Sequence, residues 1–286
     1  MTSLDDLLTG PGRGPEPGPE GPHGPGPEPE HAPETEPETE PERAAGSARR
    51  RHLWMLMYHS VTVTAADPYN ITVTPDRLRT HLDWLRARGL RGVSAAELLA
   101  AHDAGDAGGL VALTFDDGYT DFTRNALPLL RRHGFTATVF VLPGRLGGEN
   151  EWDELGPRRE LLDEAGIRAA ADAGMEIGSH GLLHRALPDL DDATLRAETA
   201  DSRARLAELT GREPAGFCYP YGTVDERSVA AVRDAGYAYA CAIDPGPLTG
   251  RHALPRIHVG QSDGTARLRL KRLLHPLRRR PVEAGA

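Results

Sequence analysis

The sequence predicts an α/β fold, an irregular parallel (β/α) barrel of about seven strands. Three features of the pattern point there. Beyond residue 50, short apolar runs alternate with longer amphipathic stretches, the mark of strand–helix repetition. Most of these runs are continuously apolar rather than alternating, as expected of parallel strands covered on both faces. Carboxylates, histidines and aromatic residues collect just after the runs, and in a parallel barrel the carboxyl ends of the strands share one rim.

In chain order, residues 1–50 hold eleven of the 24 prolines, with eleven acidic residues against four basic ones and almost nothing apolar. This segment is expected to be disordered. It accounts for −7 of the net charge of −9, so residues 51–286 are close to neutral. Strands are predicted at 53–58, 110–115, 136–142, 175–179, 217–219, 238–242 and 256–259. Thr74 followed by Pro75 starts a helix whose Leu78, His81, Leu82 and Leu85 line one face. Ser94 with Glu97 makes a capping box ahead of Leu98 and Leu99. A long surface helix is predicted over 191–210, closed by Gly211, and another over 225–235, closed by Gly236. The Gly-rich stretch 143–156 has no periodicity and reads as a long surface loop, a kind that often carries function.

The expected organisation is an acidic tail (1–50), one catalytic domain (51–265) and a basic C-terminal tail (266–286). The basic run from Arg267 to Arg280, with Leu268, Leu270, Leu273, Leu274 and Leu277, reads as an amphipathic helix with a solvated basic face or an anionic-surface contact. The domain's charge gives no reason to expect nucleic-acid binding. No run approaches the roughly 20 apolar residues of a membrane span. Residues 1–50 lack a basic segment followed by an apolar one of about 7 to 15 residues, which predicts a cytoplasmic protein and leaves export by another route open. Cys218 and Cys241 lack metal-finger spacing and read as small buried residues.

The strongest chemical feature is Val111-Ala-Leu-Thr-Phe115 followed by Asp116, Asp117 and Gly118. Each ionised carboxylate raises the free energy of the other unless a cation intervenes. Gly118 permits a tight turn that splays the two side chains. The same residues also suit a solvated acidic turn. A second predicted strand runs into His180-Gly-Leu-Leu-His184, where a helical turn would put both imidazoles on one face. Two histidines with a carboxylate leave positions for water and substrate, as a hydrolytic metal site requires. A third run, Phe217-Cys-Tyr-Pro-Tyr-Gly222, reads either as a barrel loop or as an aromatic wall with backbone amides near a reacting carbonyl.

Thr114-Phe-Asp-Asp-Gly118, Gly178-Ser-His180 with His184, and the 217–222 run resemble the first three ordered motifs of the polysaccharide deacetylases, the NodB-homology family. The resemblance spans about 53–259. Leu56-Met-Tyr-His-Ser60 and Phe135-Thr-Ala-Thr-Val-Phe140 are similar to the subgroup that includes poly-N-acetylglucosamine deacetylases. The resemblance implies a NodB-type barrel, a divalent metal on Asp117, His180 and His184, and Asp116 as the base that activates water. It also implies an oxyanion contact from the backbone N–H of Tyr219, with Pro220 and Tyr221 beside the substrate. Where the family pattern has an arginine this chain has Cys218, and Arg256 of Leu254-Pro-Arg-Ile-His258 is the expected replacement. His59 is the expected general acid and His258 its competitor.

Other hydrolases fit less well. Gly178-Ser-His-Gly181 is one residue short of a nucleophile elbow, and aspartyl phosphatases of the haloacid-dehalogenase type separate the two aspartates that are adjacent here. The resemblance implies removal of N-acetyl groups from N-acetylglucosamine-containing glycans. The alternatives are a small acetylated or formylated cytoplasmic metabolite, or a carbohydrate-binding homologue without catalysis. Zinc is the expected metal, with cobalt, nickel and iron also compatible with two histidines and a carboxylate.

Overall fold

The computed structural model describes Gly14 and residues 53–278, except Pro245, Thr249 and the side chains of residues 275–278. The predicted disorder of residues 1–50 and the end of the basic tail, 279–286, lie outside the described residues, Gly14 apart. The chain divides into two units, Met1–Glu38 and Thr39–Ala286, and the fold is that of the second.

β1 (Met55–Tyr58) is buried along its whole length. A short parallel pair follows, β2 (Ser60–Val61) and β3 (Thr72–Val73). Helix α1 (Pro75–Arg86) starts where the sequence predicts. The Thr74 side chain accepts the Arg77 N–H, Pro75 occupies the first turn, and Leu78, His81, Leu82 and Leu85 face inward. β4 (Arg91–Val93) leads into α2 (Ala95–Asp103), where Ser94 accepts the Glu97 N–H. Only half of the predicted capping box forms. The Ser94 N–H donates to Thr136 instead, and Glu97 turns to Arg91 and Thr136.

β5 (Leu110–Phe115), a π turn (Phe122–Ala126), α3 (Leu127–His133) and β6 (Thr138–Val141) come next. After a long loop, α4 (Glu164–Asp172) precedes β7 (Glu176–Ser179). The helix predicted over 191–210 is α5 (Asp192–Arg196) and α6 (Ser202–Thr210), joined through a π turn at Ala197–Asp201 and closed by left-handed Gly211. It is less of a surface helix than expected, because Glu198, Thr199, Ser202 and Leu206 are buried. The remaining elements are β8 (Gly216–Cys218), α7 (Glu226–Asp234), β9 (Tyr239–Ala242), β10 (Leu254–Pro255), β11 (Ile257–His258) and α8 (Thr265–Arg278).

Nine strands form one sheet in the order β10-β9-β8-β7-β6-β5-β1-β11, with β4 also on β5. Every pairing is parallel. Ala112 of β5 pairs with Met55 of β1 and Val93 of β4, so β4 and then β6 share the side of β5 that faces away from β1. The two ends of the path, β10 and β11, are consecutive in the chain with Arg256 alone between them. The sheet is thus nearly closed into a barrel, the predicted class. β4 and β10 of this sheet, like β2 and β3 of the small pair, are absent from the sequence reading, each too short to register as an apolar run.

One buried cluster gathers Met55, Ala112, Phe140, Cys218, Tyr239, Cys241 and Leu254 from the strands with Leu98 and Leu99 of α2, filling the barrel as side-chain layers do in parallel barrels. A larger cluster lies between strands and outer helices and includes Leu78, Leu82, Leu130, Ile167, Leu206 and Leu268. Leu268 therefore anchors α8, while Arg267, Arg269 and Arg272 are exposed, as expected of a packed helix with a solvated basic face. Leu270 and Leu273 are also exposed. Among the described residues no helix is long and apolar enough to cross a membrane. Cys218 and Cys241 are buried and free.

Candidate active site

Because the strands are parallel, the residues that follow them meet at one rim: His59 after β1, Asp116 and Asp117 after β5, His180 after β7 and Tyr219 after β8, with His258 ending β11. Asp117 has φ 71° and Gly118 φ 68°. Two consecutive left-handed residues turn the chain at once and send the two carboxylates different ways. A non-glycine there is strained, and of the four such residues among those described, three, Asp117, His184 and Tyr221, lie in this site. Gly118 is doubly required, since a Cβ would sit 2.9 Å from Val141 Cγ1.

Asp117 Oδ1 lies 3.2 Å from His180 Nε2 and 3.3 Å from His184 Nε2. All three residues are buried. The His180 Nδ1–H donates to the Cys218 carbonyl at 2.8 Å, so in the neutral ring Nε2 is the nitrogen whose lone pair faces Asp117. Three electron-pair donors within 4.8 Å of one another repel unless a proton or a cation lies among them. Asp117 Oδ1 has no hydrogen-bond partner, and this donor set fits a divalent cation such as zinc. Burial works to raise Asp117, but the two histidines outweigh it and hold the carboxyl well below its ordinary range. Burial lowers His184, with Asp117 opposing. His180 is held well above its usual value because Cys218 and Asp117 outweigh burial.

The helical turn expected between the histidines does not form. Residues 180–184 are irregular, with Gly181 at φ 84° and His184 at φ 66°. The Leu182 and Leu183 amides donate to the Glu198 side chain rather than to a helix carbonyl. Ring packing orients His184, whose Nδ1 is buried without a partner. Trp152 stacks on it at 4.3 Å and Tyr221 meets it edge-on at 4.6 Å.

Asp116 points the other way, into Arg256. Nη1 donates to Oδ1 at 2.6 Å and Nη2 to Oδ2 at 2.8 Å, a bidentate pair buried on both sides. Arg256 also donates to Thr114 Oγ1 at 2.9 Å, to the Ala242 carbonyl at 3.3 Å and to Cys218 Sγ at 3.0 Å. The arginine expected to compensate for Cys218 therefore reaches the carboxylate, and it does so by passing over the small thiol. Burial alone would raise Asp116, but the Arg256 charge and hydrogen bonds outweigh it and keep the carboxyl below its ordinary value. His59 Nε2 is 3.9 Å from Asp116 Oδ2. The His59 and His258 rings are 6.4 Å apart, and burial lowers His258, helped by its neighbours His59 and Lys271.

These groups line a cavity of about 270 Å³ together with Tyr69, Ile71, Trp152, Asp153 and Tyr221. Two expectations need correction. The Tyr219 N–H donates to the Cys241 carbonyl at 3.0 Å as a rung of the sheet, so it is committed and not directed at a ligand. Pro220 is buried away from the cavity lining and packs toward Gly181. Tyr221, 52% exposed, lines the cavity together with Tyr219 and Gly222 of the same run. The sequence reading missed Tyr69, Trp152 and Asp153. Trp152 and Asp153 fall in the loop singled out for its length, and a tryptophan in an otherwise polar, Gly-rich stretch is the signal that marks it. Asp153 accepts from Tyr119 Oη at 3.2 Å and Asn150 Nδ2 at 3.0 Å, while Tyr119 also lies against Asp117.

Comparison with known proteins agrees with this geometry. The polysaccharide deacetylase family model matches residues 104–240. The Bacillus subtilis protein YxkH, assigned to the polysaccharide deacetylases, is 28% identical over 210 residues, covering 72% of this chain and 70% of its own. The poly-β-1,6-N-acetyl-D-glucosamine N-deacetylase of Staphylococcus aureus is 21% identical over 203 residues, 66% of this chain and 68% of that one. Among solved structures, the Streptococcus pyogenes deacetylase PplD in complex with acetate superposes with a TM-score of 0.64 at 22% identity, over 77% of this chain and 98% of that one. The family match over residues 104–240 and the curated relatives mark a polysaccharide deacetylase domain of the NodB-homology type, and the solved structure shares its fold.

Proposed function

We propose that the domain is a metal-dependent N-deacetylase that hydrolyses the acetamide of N-acetylglucosamine units in glycans. The observation that carries the reading is the convergence of Asp117 Oδ1, His180 Nε2 and His184 Nε2 beside a second carboxylate clamped by Arg256. Asp117, His180 and His184 would hold the divalent cation, zinc by donor type. When bound, it supplies Lewis acidity for the acetamide carbonyl and brings the pKa of water toward neutrality.

The chain's own groups divide the remaining work. Asp116, kept ionised by Arg256, accepts a proton from the attacking water at a carboxylate oxygen. The guanidinium gives one bond to each oxygen and the Cys218 thiol a second to Oδ2, which leaves Oδ1 the oxygen with a further lone pair for that purpose. An amide on the rim stabilises the oxyanion, and because Pro220 has no N–H and Tyr219 is committed to the sheet, Tyr221 is the next amide along the turn. His59 donates a proton from Nε2 to the departing amine nitrogen. Trp152, Tyr221 and Tyr69 offer aromatic faces to a sugar ring. The name of the Staphylococcus aureus relative supports a glucosamine-type glycan.

The test is acetate release from N-acetylglucosamine oligomers by protein loaded in turn with zinc, cobalt and nickel. Release that grows with oligomer length supports the glycan reading. No acetate with any metal sinks it, and faster turnover of the monosaccharide transfers the activity to a small acetylated metabolite.

A further inference from the structure

The loop between the two histidines has no helical hydrogen bonds of its own, and its backbone is held from outside. Leu182 N–H donates to Glu198 Oε2 at 2.7 Å, and Leu183 N–H reaches Oε2 at 3.0 Å and Oε1 at 3.2 Å. Ser202, one turn on, donates to the Gly181 carbonyl at 3.0 Å and lies 2.6 Å from Ser179 Oγ, which accepts the Gly181 N–H at 3.1 Å. On the other side of the loop, Gly144 N–H and Arg145 Nε–H donate to the Leu182 and Leu183 carbonyls.

Glu198 is an unusual group to find there. It is 1% exposed, and its nearest cation, Arg185, is 3.9 Å away and half exposed. A carboxylate so buried is costly unless hydrogen bonds compensate it, and the compensating bonds come from the amides between His180 and His184. Glu198 lies in the π turn at Ala197–Asp201, a distortion often found at functional sites. The fit is close enough to dictate glycine at 181, where a Cβ would come within 2.6 Å of Glu198 Oε2.

We infer that Glu198 is a positioning residue for the metal site, setting the direction of both histidine Nε2 atoms through the Leu182 and Leu183 amides, with Ser202 as its partner. The inference rests on the reading of Asp117, His180 and His184 as the metal-holding set. Glu198 is remote from the cavity and touches no substrate. Its influence passes through a short loop whose ends are the two imidazoles, so a shift of the middle amides turns both rings off the shared Asp117 oxygen. Outer groups that orient metal ligands typically change affinity by 10- to 100-fold when altered.

The experiment measures zinc affinity of the full chain by competition with a chromophoric chelator, alongside the melting midpoint of the metal-free protein, for wild type, E198Q, S202A and D117A. In E198Q an amide NH2 replaces one accepting oxygen and faces a donor. E198Q is expected to weaken zinc binding ~10- to 100-fold, with turnover recovering at saturating zinc, and S202A is expected to shift affinity in the same direction by less. A merely structural role predicts a lowered metal-free melting midpoint with unchanged affinity in the folded fraction, and that result overturns the inference. If E198Q does not fold, unchanged zinc affinity in S202A overturns it. Wild type no tighter than D117A would instead bring down the metal reading, and this inference with it.

Discussion

Asp116 and Asp117 are adjacent in sequence but belong to different networks, one facing a guanidinium and the other two imidazoles. Their substitutions should therefore separate. Asp117→Ala is expected to lose zinc and activity together, whereas Asp116→Asn keeps zinc and loses turnover by at least ~10²-fold, as calorimetry and acetate assays on the same preparations would reveal. An active D116N protein rules out the base assignment. Arg256 makes a third case. Arg256→Ala should lower kcat by on the order of 10²-fold through misplacement of the carboxylate while leaving zinc affinity near that of wild type. Lysine should not rescue it, because a single ammonium cannot make the bidentate contact. Full turnover in R256A would show that Asp116 needs no such clamp. The two rim histidines are separable in the same way. His59→Ala is expected to retain zinc with a kcat loss larger than that of His258→Ala, and metal loss in H59A would refute the proton-donor role.

At the level of elements, helix α8 is tied down by a buried carboxylate. Asp263 accepts from Lys271 Nζ at 2.7 Å and the Gly260 N–H at 2.9 Å, with Arg267 Nε 3.2 Å from its other oxygen. Burial acts to raise this carboxyl, but Lys271 and the Gly260 amide outweigh it, so its folded pKa lies below the unfolded one. A lowered folded pKa adds stability that is fully present above the unfolded carboxylate pKa, near 4, and disappears as pH falls through the folded value. Asp263→Asn should accordingly melt lower than wild type at pH 7, with the gap closing as the medium is acidified toward pH 3. A gap independent of pH would mean that the carboxylate's charge is not what holds α8. The same elements explain what a sequence can convey. Seven of the nine barrel strands and the caps at Thr74 and Ser94 were legible because apolar runs and cap chemistry are local. β4 and β10 were not, since their pairing depends on distant partners such as Gly109 and Cys241, nor was the π turn at Ala197–Asp201, whose bonds are local but which no residue pattern marks.

For the whole molecule, the barrel rim brings together groups from positions 59 to 258, so a cation held there cross-links strands far apart in the chain. Binding to the folded state alone raises the unfolding free energy by about 2.7 kcal/mol when free metal is 100 times Kd. A chelator should thus lower the melting temperature of wild type and leave that of D117A unmoved, as differential scanning calorimetry would register. An equal drop in both would place the metal elsewhere. The site itself was only partly legible. Asp116, Asp117, His180 and His184 stood out because the spacing is short and the chemistry specific. The committed N–H of Tyr219 was hidden, because pairing with Cys241 is a property of the closed sheet.

That closure bears on catalysis as well as on shape. Arg256 is the one residue between the two terminal strands of the sheet, and its guanidinium is the clasp on Asp116. Any fluctuation that parts β10 from β9, or β11 from β1, carries the clasp away with it. On the reading of Asp116 as the base, molecules in which either pairing has parted are expected to be silent toward substrate, and the measured rate to report only the fraction whose wall is shut.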